Sequence, residues 1–349
     1  MQISAKKLIS LVTLATLLQA TAAIEYRCID RHKNYCVVKN VTAEAFPSSV
    51  FPANETSLLI QNSTITNFSE QQFQQLPTVE NLMIHHLKIE QLQLGKCDQL
   101  RTLFASYNHI SELEAVEGLH LRNLDLYQNL LTNISAVRVL TELEQLYLND
   151  NLLEVLEMDT FAEMKSLKIL TLHRNQLTAI DTQQAINLPS LESLFIQHNK
   201  LIYLDTGLWK MPALKTLDLG DNDLAFLFTF LEEFPSLRAV ELYENDWNCA
   251  WLSKIMDRLV ARGIQHAQAD RSCEGALMAD ICCLIEGASP DPMMLLISRT
   301  ALVDDLNDQL GNQRQKMESL KEAQRKQTHK YDEMQRKIER MEAFCRDEL

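Results

Sequence analysis

The chain has 349 residues, of which 46% are hydrophobic, and its 33 basic and 47 acidic side chains give a net charge of −14. An acidic chain with no basic stripe argues against binding to nucleic acid or to anionic surfaces. The sequence contains no GxSxG or HExxH motif, no glycine-rich phosphate loop and only eight glycines, so we predict neither enzymatic activity nor a cofactor.

Residues 1–23 have the pattern of a secretory signal peptide. Lys6 and Lys7 precede an apolar run from Leu8 to Leu18, and small residues follow up to Ala23. This pattern is typical of a cleaved signal and not of a membrane span. No later apolar stretch approaches the roughly 20 residues that a transmembrane helix needs. We therefore predict a secreted protein without a membrane span.

Residues 24–56 are predicted to form an N-terminal cap, in which Cys28 and Cys36 form a disulfide. Five N-x-S/T sequons, four of them before residue 70, match an exported glycoprotein. The sequon asparagines are Asn40, Asn54, Asn62, Asn67 and Asn133.

Residues 57–246 contain a repeated LxxLxLxxN motif. The seven asparagines that end the clear copies are separated by 21, 22, 24, 24, 23 and 23 residues, which is the period of the leucine-rich repeat. Each unit supplies a short strand with inward leucines, and the asparagine satisfies backbone groups at the turn that follows. The pattern predicts an α/β solenoid, a leucine-rich-repeat horseshoe. These asparagines are Asn108, Asn129, Asn151, Asn175, Asn199, Asn222 and Asn245.

The array is predicted to begin before the first clear asparagine. One degenerate unit has Leu87 in the asparagine position, and an earlier one has Ser63 there. With these units we count about nine repeats. The ends of a solenoid expose its core and need caps.

Residues 247–290 are predicted to form a cysteine-rich C-terminal cap. Neighbouring cysteines rarely bond to each other, so Cys249 and Cys273 are each expected to pair with one of Cys282 and Cys283, in an order that the sequence leaves open. Cys97, which lies between two repeats, is predicted to be a small buried apolar residue. No CxxC motif or paired-histidine spacing accompanies the cysteines, so no metal site is predicted.

Residues 291–349 are predicted to form a C-terminal α-helical coiled coil. Heptad a and d positions continue without a slip from Leu296 to Cys345. A helix this long is expected to pair with another chain, although a helical hairpin that turns at Gly311 is the alternative. Several glutamines lie at core positions, so the pairing would be weak without a covalent lock between the two helices. Cys345 is a candidate for the interchain disulfide that would form this lock.

The last four residues, Arg346 to Leu349, read RDEL and resemble the KDEL type of retrieval signal. Retrieval would keep the protein in the endoplasmic reticulum. The alternative, which we favour, is a charged helix end on a secreted protein.

The concave face of the predicted solenoid carries aromatic side chains in several repeats. Residues that flank inward leucines on a strand point outward, and exposed aromatics are favoured anchors in protein interfaces. Aromatics are also common on β-sheet surfaces in general, so the pattern alone does not decide between a binding patch and ordinary surface. The candidate binding residues are Phe104, Tyr127, Tyr147, Phe195 and Tyr243.

The combination of signal peptide, short repeat array, double cysteine and C-terminal coiled coil resembles the mosquito leucine-rich-repeat immune proteins, the LRIM family, and its short subclass in particular. The cysteines that match the family pattern are Cys249, Cys273, Cys282 and Cys283, with a further free cysteine available for an interchain bond. The chain departs from the best-known members because it is shorter, because Cys345 lies at the end of the helix, and because it ends in RDEL.

The resemblance implies a non-enzymatic protein of the haemolymph that acts in innate defence. It further implies pairing with another family member and a role with a complement-like thioester-containing protein. Two other functions fit the sequence: an extracellular adhesion-type repeat protein, and an assembly factor retained in the endoplasmic reticulum.

Overall fold

The computed structural model describes residues 24–227 and 230–284, which all belong to the first of two units of the chain, Met1–Ser289 and Pro290–Leu349. The predicted signal peptide (1–23), the predicted coiled coil (291–349) with Cys345, and the RDEL ending lie outside the described residues. Among the described helices, none combines the length and apolar character required to cross a membrane.

Short strands form most of the regular structure. In chain order they are β1 (Asp30–His32), β2 (Tyr35–Lys39), β3 (Ser57–Gln61), β4 (Asn67–Phe68), β5 (Asn81–Met83), β6 (Gln91–Leu94), β7 (Thr102–Phe104), β8 (Glu112–Ala115), β9 (Asn123–Asp125), β10 (Gln145–Tyr147), β11 (Val155–Glu157), β12 (Ile169–Thr171), β13 (Ala179–Asp181), β14 (Ile186–Asn187), β15 (Ser193–Phe195), β16 (Trp209–Lys210), β17 (Thr216–Asp218), β18 (Ala239–Glu241), β19 (Ala276–Met278) and β20 (Ile281–Cys283).

Eleven strands form one sheet in the order β1-β2-β3-β5-β7-β9-β10-β12-β15-β17-β18. All neighbours are parallel except the antiparallel hairpin β1-β2. The central residue of each repeat strand pairs with the central residue of the next, so identical positions stack into a fully buried ladder. That ladder consists of Leu82, Leu103, Leu124, Leu146, Leu170, Leu194, Leu217 and Val240. The predicted leucine-rich-repeat solenoid is confirmed.

The convex side is built mainly from strands and 3-10 helices. Strands β4-β6-β8, β11-β13 and β14-β16 form small parallel sheets there, and the 3-10 helices span Phe46–Ser48, Ser135–Val139 and Met158–Phe161. A single short helix among the described repeats, α1 (Glu70–Gln74), interrupts this pattern. The predicted α/β class is therefore corrected to a β-solenoid, because short repeats leave too few residues on the return path for regular helices.

The asparagine side chains bond successive repeats together. Oδ1 of Asn151 accepts the N–H of Leu131 in the preceding repeat at 3.0 Å, and its Nδ2 donates to the carbonyls of Leu126 and Leu148. Buried backbone groups need such partners. The same bonds are made by Asn108, Asn129, Asn175, Asn199, Asn222 and Asn245.

In the two degenerate repeats, which lack the asparagine, other groups accept the backbone N–H of the preceding repeat. Oγ of Ser63 accepts the N–H of Val41 at 2.8 Å, so a hydroxyl replaces the amide. In the next repeat the backbone carbonyl of Leu87 accepts the N–H of Ile65 at 3.1 Å. Leu87 can therefore be fully buried in the asparagine position.

Both ends of the solenoid are covered. At the N-terminal end, Phe46 packs against the rings of Phe51 and Phe68, and a disulfide joins Cys28 to Cys36. These contacts protect the first repeat strands from solvent.

The C-terminal cap centres on helix α2 (Cys249–Arg262). The Asn248 side chain caps its first turn by accepting the N–H of Trp251, and Gly263 ends it in the left-handed conformation, which glycine adopts without strain. The Trp247 and Trp251 rings stack with centroids 4.7 Å apart. The disulfide Cys249–Cys283 ties the helix to the β19-β20 hairpin, and Cys273–Cys282 ties the segment before β19 to strand β20.

Candidate functional site

Three predicted aromatic residues from adjacent repeats border one concave pocket. Phe104 ends β7, Tyr127 follows β9, and Tyr147 ends β10, and because these strands are neighbours the three rings meet at a cavity of about 420 Å³. The volume lies in the range of specific ligand sites. The other lining residues are polar: Asn123, Asp125, Gln145, Asn149, Thr171 and His173.

Among the described residues that line the pocket, Asp125 is the only one with a carboxylate, and none is a lysine or an arginine. One of its oxygens accepts the N–H of Tyr127 at 2.9 Å, and the nearby Ser106 side chain also acts to lower its pKa. Burial raises the pKa of Asp125 above its usual range, because a desolvated carboxylate is less stable than one in water. The pocket therefore contains a negative charge without a cationic partner among its lining residues.

The polar side chains around Asp125 are held by one another. The Tyr147 hydroxyl donates to Oε1 of Gln145 at 3.0 Å, and the Thr171 hydroxyl donates to Oδ1 of Asn149 at 2.9 Å. Such bonds fix rotamers before a ligand arrives and lower the entropy lost on binding.

His173 closes the pocket on the side of β12. Its Nδ1 is buried without a hydrogen-bond partner. Burial lowers the pKa of His173 below its usual range, so the neutral imidazole is favoured near pH 7. The ring adds no positive charge to the pocket, and its unpartnered Nδ1 is enclosed by protein.

A column of aromatic rings extends from the pocket along the turns that follow the strands. The His86 ring stacks on Tyr107 with centroids 4.6 Å apart, and Tyr107 meets Tyr127 edge-to-face at 4.9 Å. The hydroxyls of Tyr107 and Tyr127 lie 3.4 Å apart and share a hydrogen bond, and this interaction, which favours the protonated hydroxyl of Tyr127, is the main cause that raises the pKa of Tyr127 to about 12. Tyr107 is 40% exposed, so the column adds accessible aromatic surface next to the pocket.

Sequence reasoning missed His86 and Tyr107 because it considered only residues that flank the inward leucines of each LxL segment. Both residues have left-handed backbone, with φ of 58° and 56°. They occupy the position immediately before the repeat asparagine, and the later repeats have left-handed backbone there as well. That position is recognisable in the sequence, so it could have been included among the candidates.

Two of the predicted binding residues lie away from the pocket. Phe195 ends β15, one strand beyond β12, and does not line it. The prediction that Tyr243 is an exposed binding residue is corrected by the structure. Tyr243 is only 7% exposed, because its ring packs over Gly220, where there is no side chain. Tyr243 therefore packs within the fold and is not exposed for binding. Burial raises its pKa to about 12.

Every cysteine among the described residues is either paired in a disulfide or buried. The structure pairs Cys28–Cys36, Cys249–Cys283 and Cys273–Cys282. Cys97 is free and 6% exposed, and burial raises the pKa of its thiol. Glu55 lies near the first disulfide, but both sulfurs are already bonded to each other, which disfavours a metal ion there.

All five sequon asparagines are exposed: Asn40, Asn54, Asn62, Asn67 and Asn133. Asn40 and Asn62 have left-handed backbone, and Asn62 lies directly before Ser63, which takes the repeat-asparagine position. Exposure is required for attachment of a glycan, so each site satisfies this condition.

Comparison with known proteins agrees with the repeat assignment. The family model described as leucine rich repeat matches residues 141–201 and 165–224. No curated protein matches the sequence significantly.

Several solved structures share the architecture. The crystal structure of the LRIM1/APL1C complex is 18% identical over 88% of this chain and 80% of that chain, with a TM-score of 0.50. The leucine-rich repeat domain of APL1B is 19% identical over 82% and 99%, with a TM-score of 0.53. The LRIM1 leucine-rich repeat domain is 17% identical over 74% and 94%, also with a TM-score of 0.53. The likeness is one of fold.

Proposed function

We propose that this chain is a secreted, non-enzymatic recognition or scaffold protein of innate immunity. It binds another protein through the concave face of its repeats and pairs with a second chain through its C-terminal segment. The observation that carries the proposal is the concave pocket bordered by Phe104, Tyr127 and Tyr147.

The chemistry of this face favours a protein partner. Tyrosine is enriched among residues that dominate binding energy, because it offers a large apolar ring together with a polar end. The pocket and the adjoining column of His86 and Tyr107 form one aromatic surface on a rigid sheet. A rigid surface loses little entropy when a partner binds.

Pairing with a related chain is supported by one of the similar structures, which is a complex of LRIM1 with APL1C. In our proposal the predicted heptads from Leu296 to Cys345 supply the pairing helix and Cys345 supplies the covalent lock. Cys97 is a poor alternative for the lock because it is buried. A complement-like thioester-containing protein is the proposed partner of the concave face.

Expression of the full chain in insect cells tests secretion and pairing together. Protein from the medium is compared on reducing and non-reducing gels for the wild type, Cys345→Ser and Cys97→Ser. We expect a secreted species of about twice the monomer mass that disappears with reductant and in Cys345→Ser but persists in Cys97→Ser. Intracellular retention would contradict secretion, and a monomer in all three lanes would contradict the covalent lock.

A second assay tests the concave face. A purified complement-like thioester-containing protein is titrated onto immobilised wild type, Tyr147→Ala and Val155→Ala; Val155 is exposed on the small β11-β13 sheet. We expect Tyr147→Ala to weaken binding by about tenfold or more and Val155→Ala to leave it unchanged. Equal binding by all three would contradict the use of this face.

A further inference from the structure

We propose that the concave pocket recognises a single arginine side chain of the partner protein, with Asp125 as its ionic partner and the rings of Tyr127 and Tyr147 as stacking surfaces. The inference rests on the proposed function for the use of this face, and it adds the chemistry of the group that enters it.

The first argument is the unpaired charge. Asp125 accepts a hydrogen bond from the Tyr127 N–H, and no lysine or arginine is found among the described residues that line the pocket. Desolvation raises its pKa, so the folded protein holds this carboxylate at a cost. A guanidinium group would remove that cost, because charge-assisted bonds between arginine and a carboxylate are among the strongest hydrogen bonds in proteins.

The second argument is the shape and chemistry of the walls. Aromatic faces attract cations, and the planar guanidinium stacks on them more readily than the compact ammonium of lysine. Phe104, Tyr127 and Tyr147 provide three rings beside the carboxylate. An aromatic cage with one acidic group is therefore better matched to arginine than to an anion or to an apolar side chain.

The third argument concerns the remaining polar groups. Gln145 and Asn149 line the pocket, and each side-chain oxygen, which already accepts one hydroxyl proton, has a second lone pair that can accept a guanidinium N–H. Because burial lowers the pKa of His173, the ring is neutral near pH 7 and does not repel the arginine side chain.

Charges at the rim do not oppose this assignment. Asp150 and Arg174 act electrostatically on both Tyr127 and His173 from the adjoining turns, with opposite signs. Their effects partly cancel, and the chain as a whole carries a net charge of −14. Long-range attraction thus favours a basic guest.

The structure offers a closely matched control for Asp125. Asp218 occupies the equivalent place at the end of β17, is also buried, and likewise accepts the N–H two residues later, from Gly220 at 3.0 Å. It does not line the pocket. Asp125→Asn and Asp218→Asn therefore make the same chemical change in the same local geometry, and only the first alters the pocket.

The test uses the secreted full chain and three probes: the acetylated and amidated tripeptide Gly-Arg-Gly, its citrulline counterpart, and methyl glucoside as a neutral sugar. Binding is followed by ligand-observed NMR titration. We expect the arginyl peptide to bind at least about tenfold more tightly than the citrulline peptide, because citrulline has nearly the same shape without the charge. Asp125→Asn should abolish this preference and Asp218→Asn should retain it.

The inference would be overturned by equal binding of the arginyl and citrulline peptides, by an unchanged preference in Asp125→Asn, or by binding of the sugar with no preference for arginine. None of them affects the gel result for Cys345 or the titration with Tyr147→Ala, so failure here is distinguishable from failure of the proposed function. A loss of preference in Asp218→Asn as well would show that the effect is not specific to the pocket, and would also contradict the assignment.

Discussion

The ring of Tyr243 lies directly over Gly220, so that a β-carbon at Gly220 would overlap the Cδ1, Cε1 and Cζ atoms of Tyr243. The glycine and the tyrosine belong to successive repeats, at equivalent positions two residues after β17 and β18. This packing buries Tyr243 and explains why an aromatic residue at a surface-directed position is not available for binding.

We expect Gly220→Ala to lower the free energy of unfolding by about 1 to 3 kcal/mol, the usual cost of overpacking a filled site. The ring must move outward to admit the methyl group and loses burial. Chemical denaturation of the purified protein measures the effect. In a Tyr243→Ala background the same substitution should be nearly neutral, and a full additional loss there would contradict the overlap as its cause.

A second prediction concerns the asparagine bonds between repeats. Asn151→Ala removes the acceptor of the buried Leu131 N–H, and an unsatisfied buried donor costs about 1 to 3 kcal/mol. Denaturation midpoints should fall accordingly. Asn187, whose side chain is exposed, provides the control, and Asn187→Ala should change stability by less than about 0.5 kcal/mol. Equal effects of the two changes would show that the bonds between repeats contribute little.

Sequence reasoning could predict the repeat fold because its signals are local and periodic. The leucine spacing defines the buried ladder from Leu82 to Val240, and the asparagine position requires the turn that the structure contains. The convex side could not be predicted in the same way, because its strands and 3-10 helices follow from the length of each return path and from packing between repeats.

The candidate site could be predicted only in part for a related reason. Strand alternation correctly places Phe104, Tyr127 and Tyr147 on one face, since alternation depends on the backbone alone. The burial of Tyr243 depends on the absence of a side chain at Gly220 in the preceding repeat. Likewise, the isolation of the Asp125 charge depends on which residues three neighbouring strands bring to the same pocket.

A third prediction concerns the buried thiol. Cys97 is packed among apolar residues such as Phe73, Leu100 and Leu119, and burial raises its pKa, so the reactive thiolate is scarce in the folded protein. We expect iodoacetamide to modify Cys97 only in denaturant, with the alkylated site identified by mass spectrometry. Rapid modification of the native protein would show that the thiol is accessible and would reopen its assignment as a packing residue.

The fourth prediction is a pH dependence of stability that arises from Asp218. Burial raises its pKa from 3.8 to about 6. Between pH 4 and 6 the folded chain therefore retains a proton that the unfolded chain has lost, so this group lowers the free energy of unfolding as the pH rises through that window. Asp218→Asn should consequently be more stable than the wild type at pH 7.5, by about 1 to 3 kcal/mol, and the difference should shrink towards pH 4.

Equilibrium denaturation at pH 7.5, 6, 5 and 4 measures this difference directly. The asparagine keeps an oxygen that can accept the Gly220 N–H, so the comparison isolates the charge from the hydrogen bond. Asp257→Asn, at an exposed position of α2, controls for the general loss of one negative charge and should show no such window. If Asp218→Asn were less stable than the wild type at pH 7.5, the carboxylate would be stabilised in the fold, and burial would not be the dominant influence on its pKa.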